Sequence, residues 1–196
     1  MHTAIKAITI PRNSKIAGQL DGAYFADCYP LALNQDAPSA LEIYLNLVAA
    51  TPMWVNTLMA LRNRAVALVG LKNLGHLGTL SKAKPASAYR VGDRVGIFSL
   101  LYVSENEIVL GETDKHLDVK LSLYKLPPDA SRQTSAETWA DTSAVHCKNG
   151  FAAITTVVHI HNTLGRLYMF FVGPVHKIIV PAMLSKGSKP SIQVIR

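Results

Sequence analysis

Apolar and polar residues alternate along the second half of the segment 107–124. The apolar members of this pattern are Leu117, Val119, Leu121 and Leu123. A period of two is typical of a strand with one buried face. A short apolar run at 108–110 comes before it, and the polar residues 112–116 separate the two. We therefore predict a β-hairpin whose tip carries residues 112–116.

Two short helices are predicted earlier in the chain. Ser39 and Glu42 form a capping box, in which each side chain binds a free amide at the start of a helix. Apolar residues follow at helical spacing, so we predict a helix over 39–50. Thr51 then caps a second apolar-striped helix over 51–70.

Strands are predicted on both sides of these helices. The aromatic-rich segment 23–33 predicts a first strand, and Pro30 places it at a sheet edge or at a bulge, because proline lacks the amide that a central strand needs. Further strands are predicted over 94–103, 142–148 and 151–161. Asn149-Gly150 is a strong hairpin signal and joins the last two strands.

A long helix is predicted over 162–186, with Asn162 as its cap. Apolar residues keep helical spacing from Leu164 to Ala182. Pro174 interrupts this pattern, because proline removes a helix hydrogen bond and clashes with the preceding turn. We therefore expect the helix to bend or restart there while it packs one continuous apolar stripe on the sheet.

The predicted order is strand, two helices, five strands and a long C-terminal helix, which indicates an α+β domain. Residues 1–19 are predicted to form an N-terminal arm, 20–186 the single domain and 187–196 a tail. Two long polar connections lie within the domain, at 72–89 and 127–141.

The composition fits this size of domain. The chain has 196 residues, of which 49% are hydrophobic and 17% charged. No apolar run reaches the ~18 residues of a membrane span, and the N-terminus lacks the apolar core of a signal peptide. Cys28 and Cys147 indicate no disulfide framework. These features predict a cytoplasmic protein without a membrane span.

The net charge of +7 is spread unevenly, since no acidic residue follows Asp141. A basic C-terminal end is one signal of nucleic-acid binding. The six basic residues there are scattered, without aromatic side chains between them in a binding pattern. We therefore predict no nucleic-acid partner, and expect these bases to face solvent or the acidic first segment.

The predicted hairpin tip holds the densest group of ionisable side chains. These are Glu112, Asp114, His116 and Asp118. Carboxylates beside a histidine can act in acid–base catalysis, and the same groups can hold a metal ion. The alternative is structural, in which Asp114 binds turn amides and Asp118 lies on a solvated face. We predict that His116 is structural first, and keep His116, Asp114 and Glu112 as catalytic candidates.

His159 and His161 are predicted to share one face of a strand. Such a pair can bind a metal ion when further ligands converge on it, and His116 or His176 are the candidates. Val157 and Phe151 share that face, which we expect to pack against the C-terminal helix. We therefore predict no metal site. Cys147 has no base beside it in the sequence and is not predicted as a nucleophile.

Arg166 lies near the start of the long helix and has two possible roles. It can clamp an acidic ligand group through two hydrogen bonds, or it can pair with Asp114 or Asp118 and fix the helix against the sheet. Large side chains are the further candidates for lining a ligand cavity. They are Trp54, Met59, Phe98, Tyr102, Phe151, Tyr168 and Phe171.

Several short motifs are distributed over residues 20–186. They are the helix from Trp54 to Gly70 with LRN at 61–63, Val91-Gly-Asp-Arg-Val-Gly96, Glu107-Ile-Val-Leu-Gly-Glu112, Asp114-Lys-His-Leu-Asp118, His161-Asn162 with Gly165-Arg-Leu-Tyr168, and Pro174-Val-His176. Together they resemble the family called domain of unknown function 2867. That family is grouped with the START-like helix-grip (SRPBCC) superfamily of ligand-binding proteins. The resemblance implies a curved antiparallel sheet wrapped around the long helix, and a cavity between them.

The predicted function is binding of a small, mostly apolar molecule in that cavity. One alternative is an enzyme of the cyclase, isomerase or hydrolase type that uses His116 and a carboxylate. Another is a docking module for an oxidoreductase, because some members of the resembled family are fused to a nucleotide-binding domain. This chain has no GxGxxG motif after a strand. No cofactor is predicted, and the oligomeric state is left open.

Overall fold

The computed structural model describes residues 5–34, 37–68, 84–126 and 150–187. Strands and helices follow in the order β1 (Phe25–Ala32), α1 (Ala40–Ala49), α2 (Met53–Leu68), β2 (Arg94–Val95), β3 (Phe98–Val103), β4 (Glu107–Thr113), β5 (Leu117–Leu126), β6 (Phe151–Ile160) and α3 (Thr163–Gly187). Short 3-10 helices lie at Lys15–Gln19 and Ala86–Ala88.

The strands of the described segments form one curved antiparallel sheet in the order β1-β6-β5-β4-β3-β2. With the helices and the long C-terminal helix, this confirms the predicted α+β class. Strand β1 lies at the edge of the sheet, where Pro30 is tolerated. The predicted hairpin is β4 and β5, which pair from Glu107 with Tyr124 to Thr113 with Asp118. Its turn is shorter than predicted, since Glu112 lies inside β4.

The strand predicted over 142–148, which is the first arm of the hairpin predicted at Asn149-Gly150, falls on residues that lie outside the described part of the chain. Strand β6 pairs with β1 from Phe151 to Val158 and with β5 from Phe151 to Ile160. Phe151, the first residue of β6, pairs with both Ala32 and Leu126. Both neighbours of β6 are therefore strands that are distant from it in the sequence.

The helix starts follow the sequence closely. Ser39 accepts a hydrogen bond from the Glu42 amide (3.3 Å), and the Glu42 carboxylate accepts one from the Ser39 amide (3.0 Å). Helix α2 begins directly after Thr51-Pro52. Helix α3 runs unbroken through Pro174, so the predicted restart there does not occur. Met169, before that proline, and Leu184, after it, are both buried against the inner side of the domain. Both parts of the helix therefore pack on the same body.

The two faces of the sheet have different cover. The inner face packs against α1 and α3, and the outer face packs against the N-terminal arm. Ile16 of the arm is fully buried, and the Ile8 amide donates to the Cys28 carbonyl (2.8 Å). Phe151 and Val157 point to the outer face, so the prediction that they pack against the C-terminal helix is wrong.

A buried carboxylate ties the arm to the outer face. Glu107 accepts hydrogen bonds from the hydroxyls of Ser14 (2.6 Å) and Ser122 (2.9 Å) and from the amide of Lys15 (2.9 Å). Each donor offsets part of the cost of removing the charge from water. The arm is thus part of the domain's packing, although its sequence shows little periodicity.

Candidate functional site

A cavity of about 700 Å³ lies between the inner face of the sheet and the three helices. Helix α3 lines it along most of its length, from Leu164 to Leu184. The strand residues that face it keep the period of two that predicted the hairpin: Leu117, Val119, Leu121 and Leu123. The first three of these are only half-buried, although β5 is a central strand. They face a space and not a close-packed core.

Four of the predicted cavity-lining side chains lie in its wall: Met59, Phe98, Tyr168 and Phe171. The other four lie elsewhere. Trp54 is partly exposed on the first turn of α2, and Phe151 packs on the outer face of the sheet. Tyr102 lies beside a β-bulge in β3 and under the ammonium group of Lys15.

Arg166 is the fourth side chain outside the cavity wall. It is exposed on the first turn of α3, and the predicted ion pair with Asp114 or Asp118 does not form among the described residues. Asp118 instead pairs with His161, at 3.1 Å between Oδ1 and Nε2. The helix is fixed to the sheet by other contacts.

The carboxylates of the hairpin take separate structural roles. Asp114 accepts hydrogen bonds from the amides of His116 (2.6 Å) and Leu117 (3.0 Å), which is the turn role considered for it. Glu112 is buried and forms an ion pair with Arg94. Both carboxylates contribute to the cavity wall. The imidazole of His116 does not, and it makes its hydrogen bond with Asn162 and not with either acid.

His116 joins the hairpin turn to the start of α3. Asn162 caps the helix by accepting from the Gly165 amide (3.1 Å), and it donates to the Lys115 carbonyl (3.1 Å). The same side chain contacts Nδ1 of His116. A Cβ atom on Gly165 would lie 2.4 Å from the His116 carbonyl oxygen, so only glycine fits there. These contacts set the position of the helix over the sheet.

His176, unlike His116, lines the cavity. Nδ1 of His176, on α3, lies 3.1 Å from the carboxylate of Asp27 on β1. Its Nε2 lies 3.4 Å from the hydroxyl of Thr156 on β6. Asp27 and Thr156 are buried, and both His176 and Thr156 line the cavity. A carboxylate that orients an imidazole, which in turn contacts a hydroxyl, is the arrangement of an acid–base site.

Sequence reasoning missed a further polar pair in the cavity wall. The Arg62 guanidinium donates from Nε to the Tyr168 hydroxyl (3.1 Å) and lies over the same ring, 5.3 Å from its centre. The signal was present in the helical spacing. Arg62 follows Leu58 by four residues and therefore shares the face of α2 that lines the cavity.

The other histidines do not converge on a metal site within the described residues. Nε2 of His159 lies 3.0 Å from the Asp21 carbonyl, and His161 pairs with Asp118. Across the segments that the structure describes, no group of three or more metal-binding side chains lies together. Cys147 lies outside these segments.

Burial raises the pKa of Cys28, Tyr29 and Tyr44. Burial raises the pKa of the Cys28 thiol to about 11, and it raises the pKa of the Tyr44 phenol above its usual value. Tyr44 lines the cavity, and it presents a neutral hydroxyl at physiological pH. Cys28, on the outer face, remains a protonated thiol there.

Fold and site together define an α+β protein with an apolar cavity between an antiparallel sheet and a C-terminal helix. The family model of DUF2867, described as a protein of unknown function, matches residues 19–183. The chain belongs to that family, as its motifs predicted. No curated protein and no solved structure matched the chain. The match begins at the end of the N-terminal arm.

Proposed function

We propose that this protein binds a small, mostly apolar molecule in the cavity between its sheet and its C-terminal helix. We also propose that the chain has the helix-grip fold. The order of elements supports that assignment: one strand, two helices, a run of antiparallel strands and a long helix across the inner face of the sheet.

The cavity carries the proposal. Its volume of about 700 Å³ lies in the range of about 300–1,000 Å³ that small-molecule sites occupy. Its wall is made largely of Leu, Ile, Val, Met and Phe side chains from three helices and four strands. Protein interiors are normally close-packed, and an apolar ligand in a space of this size gains contacts with the side chains around it.

A few polar groups interrupt the apolar wall of the cavity. Two pairs of them are hydrogen-bonded to each other: Arg62 with Tyr168, and His176 with Thr156. Ligand sites commonly combine an apolar wall with a small number of placed polar groups that orient the ligand. The ligand we expect therefore has an apolar body and at least one hydrogen-bonding group.

The first test is to identify what the protein carries. Protein purified without detergent is extracted with organic solvent, and the extract is analysed by mass spectrometry. A single molecular class at close to one per chain supports the proposal. In parallel, the unliganded protein is titrated with the fluorescent fatty acid cis-parinaric acid, which reports entry into an apolar site.

A cavity-filling substitution provides the matched control. Leu121→Trp adds volume inside the cavity, and Tyr124→Trp changes the same strand on its outer face. We expect Leu121→Trp to weaken probe binding at least about tenfold, because the added ring occupies the ligand's space, and Tyr124→Trp to leave it unchanged. Equal binding by both variants and the wild type would show that the cavity is not the binding site.

Acid–base catalysis in the same cavity is the second candidate, and the arrangement of Asp27, His176 and Thr156 favours it. The catalytic pair predicted from the sequence is His116 and a carboxylate. We propose His176 and Asp27 in its place, because the His116 imidazole contacts Asn162 and the Asp114 carboxylate accepts from backbone amides. In this reaction type His176 transfers a proton to or from the ligand at Nε2, and Asp27 holds the imidazole by its Nδ1 hydrogen.

Hydrogen–deuterium exchange tests this candidate without knowledge of the product. The protein is incubated in D2O with hydrophobic ketones such as tetralone, and exchange next to the carbonyl is followed by NMR. Catalysed exchange that is lost in His176→Gln, while cis-parinaric acid still binds, supports catalysis. If no ketone that binds exchanges faster than it does in buffer, catalysis is refuted and ligand binding remains the supported function.

A further inference from the structure

The outward face of α3 is apolar and exposed. Phe170, Phe171 and Ile178 are 70%, 63% and 65% exposed. By length and composition the segment Thr163–Ser185 qualifies as a possible membrane span: an 18-residue window within it has a mean hydropathy of 1.6, and 17% of that window is buried inside the molecule. A core helix of a soluble protein with this composition is normally mostly buried. An exposed apolar face of this kind marks a surface for contact with a partner or a membrane.

The exposed apolar surface continues from α3 to α2. Met53 and Leu61 on α2 are 80% and 63% exposed. Leu61, Leu167 and Phe171 are exposed and also line the cavity, which places them at its mouth. We call this surface, made by Met53, Leu61, Leu167, Phe170, Phe171, Val175 and Ile178, the apolar rim. The apolar rim therefore includes side chains that belong to the cavity wall.

The charges on these two helices have one sign. The sequence contains 13 acidic residues, and none lies between Glu42 and Asp93 or after Asp141, so α2 and α3 carry none. Exposed basic side chains flank the rim: Arg64 on α2 and Arg166 and Lys177 on α3. Further lysines and an arginine follow in the C-terminal residues. An exposed apolar stripe bordered by Lys and Arg, without acids, fits an anionic lipid surface.

We infer that the apolar rim docks on the surface of an anionic membrane, with the mouth of the cavity facing the lipid. The inference rests on the proposed function for the ligand, which is then an amphiphile taken from or delivered to that membrane. Helix α3 lies on the bilayer and does not cross it, because its other face is part of the domain. Met169 and Leu184 are buried, and Gly165 touches the hairpin turn.

Charge favours a membrane over the other possible occupants. A second copy of this chain would bring two acid-free faces of the same positive sign together, which costs energy. An oxidoreductase domain would need an acidic patch to match the flanking bases. A cytoplasmic leaflet rich in acidic lipids supplies that charge together with an apolar interior for Phe170 and Ile178.

Sedimentation with lipid vesicles tests the inference. The full chain is mixed with vesicles of phosphatidylcholine, or of equal parts phosphatidylglycerol and phosphatidylcholine. We expect binding to the second and at least about tenfold weaker binding to the first, with release as salt is raised. Equal, weak binding to both vesicle types would overturn the inference.

Matched variants locate the contact. Ile178→Ser and Phe170→Ser remove rim side chains that do not line the cavity, and each should weaken vesicle binding about tenfold or more. Val91→Ser removes a comparably exposed apolar side chain (62%) that lies on neither helix, and it should have no effect. Unchanged vesicle binding by both rim variants would overturn the inference.

Two further measurements separate the rim from the cavity. The rim variants should still bind cis-parinaric acid like the wild type, and Leu121→Trp should lose the probe but still bind vesicles. If the wild type binds vesicles but does not bind cis-parinaric acid, the proposed function is refuted and the docking inference stands. A chain that is dimeric in solution, becomes monomeric with Ile178→Ser and never sediments with vesicles would assign the rim to a second copy and overturn the inference.

Discussion

Replacement of Gly165 by alanine should shift the C-terminal helix away from the sheet. An added Cβ would lie 2.4 Å from the carbonyl oxygen of His116 and 3.0 Å from a methyl carbon of Ile160. Side-chain carbons are essentially never found within 3.0 Å of such an atom, so the helix start must move by about 0.6 Å or more. The atom in the way belongs to the backbone of a turn and cannot rotate aside.

The size of the effect follows from three terms. Overpacking at a rigid contact costs about 1–3 kcal/mol. Weakening the Asn162 cap, which contacts both the turn and the Gly165 amide, costs about 1 kcal/mol. Alanine regains up to about 1 kcal/mol over glycine through helix propensity. We expect a net loss of about 2 kcal/mol, which lowers the melting temperature by about 4–8 °C for a chain of this length.

Gly173→Ala in the same helix is the matched control. An added Cβ there has nothing within 4 Å. The gain in helix propensity is offset because residue 173 precedes Pro174, whose ring disfavours a helical backbone at a residue with a Cβ. We expect a change within about 1 kcal/mol. Both variants are compared by thermal and urea unfolding, followed by circular dichroism.

The result that would refute this reasoning is specific. If Gly165→Ala melts at or above the wild-type temperature, the close approach of helix and turn does not exist in solution. A further consequence can be measured in the same samples. Because the helix forms one wall of the cavity, Gly165→Ala should also change the affinity for cis-parinaric acid, and Gly173→Ala should not.

Three further predictions concern other parts of the molecule. Glu107→Ala should lower the free energy of unfolding by about 3–5 kcal/mol in urea titrations, because it leaves several buried donors unpaired; a loss under 1 kcal/mol would contradict this. His116→Ala should lower the melting temperature, and it should weaken probe binding only as far as it destabilises the fold. A fully stable variant without probe binding would show that His116 acts in binding first and in structure second. Folded Cys28, with its pKa raised to about 11 from 9.0, keeps a proton that the unfolded chain releases, so stability should fall between about pH 9 and 11, by up to about 2–3 kcal/mol. Cys28→Ala should reduce that slope in unfolding measured across this pH range, and an unchanged slope would contradict the assignment.

Local signals in the sequence predicted much of the fold. The alternation at 117–123 identified β5 and its hairpin, since side-chain direction in a strand depends only on position along the chain. The capping box at Ser39 and the cap at Asn162 located two helix starts within one residue. Each of these features forms among residues a few positions apart, so each can be seen without knowledge of the fold.

Features made by distant residues were not predicted. His176 and Asp27 are 149 positions apart, and only the pairing of β1 with β6 and the docking of α3 bring them together. The position of β6 between β1 and β5 was not predicted for the same reason, because both partners are distant in the sequence. Likewise, nothing in the arm's sequence shows that Ser14 and Lys15 are needed by Glu107, 93 and 92 residues away.

The composition of α3 links the cavity to the apolar rim. A helix that is apolar on all sides is normally buried on all sides or lies in lipid. One side of α3 faces the sheet and the cavity, and the other faces solvent in the isolated chain. In our proposals the ligand accounts for the inner side, since Phe170 and Ile178 do not line the cavity, and the membrane accounts for the outer side, since Met169 and Leu184 are buried in the domain. The two sides meet at the rim residues that also line the cavity, which are Leu167, Phe171 and Val175. We therefore expect changes at Phe170 or Ile178 to leave ligand binding intact, and a change on the sheet side of the cavity, such as Leu121→Trp, to leave vesicle binding intact.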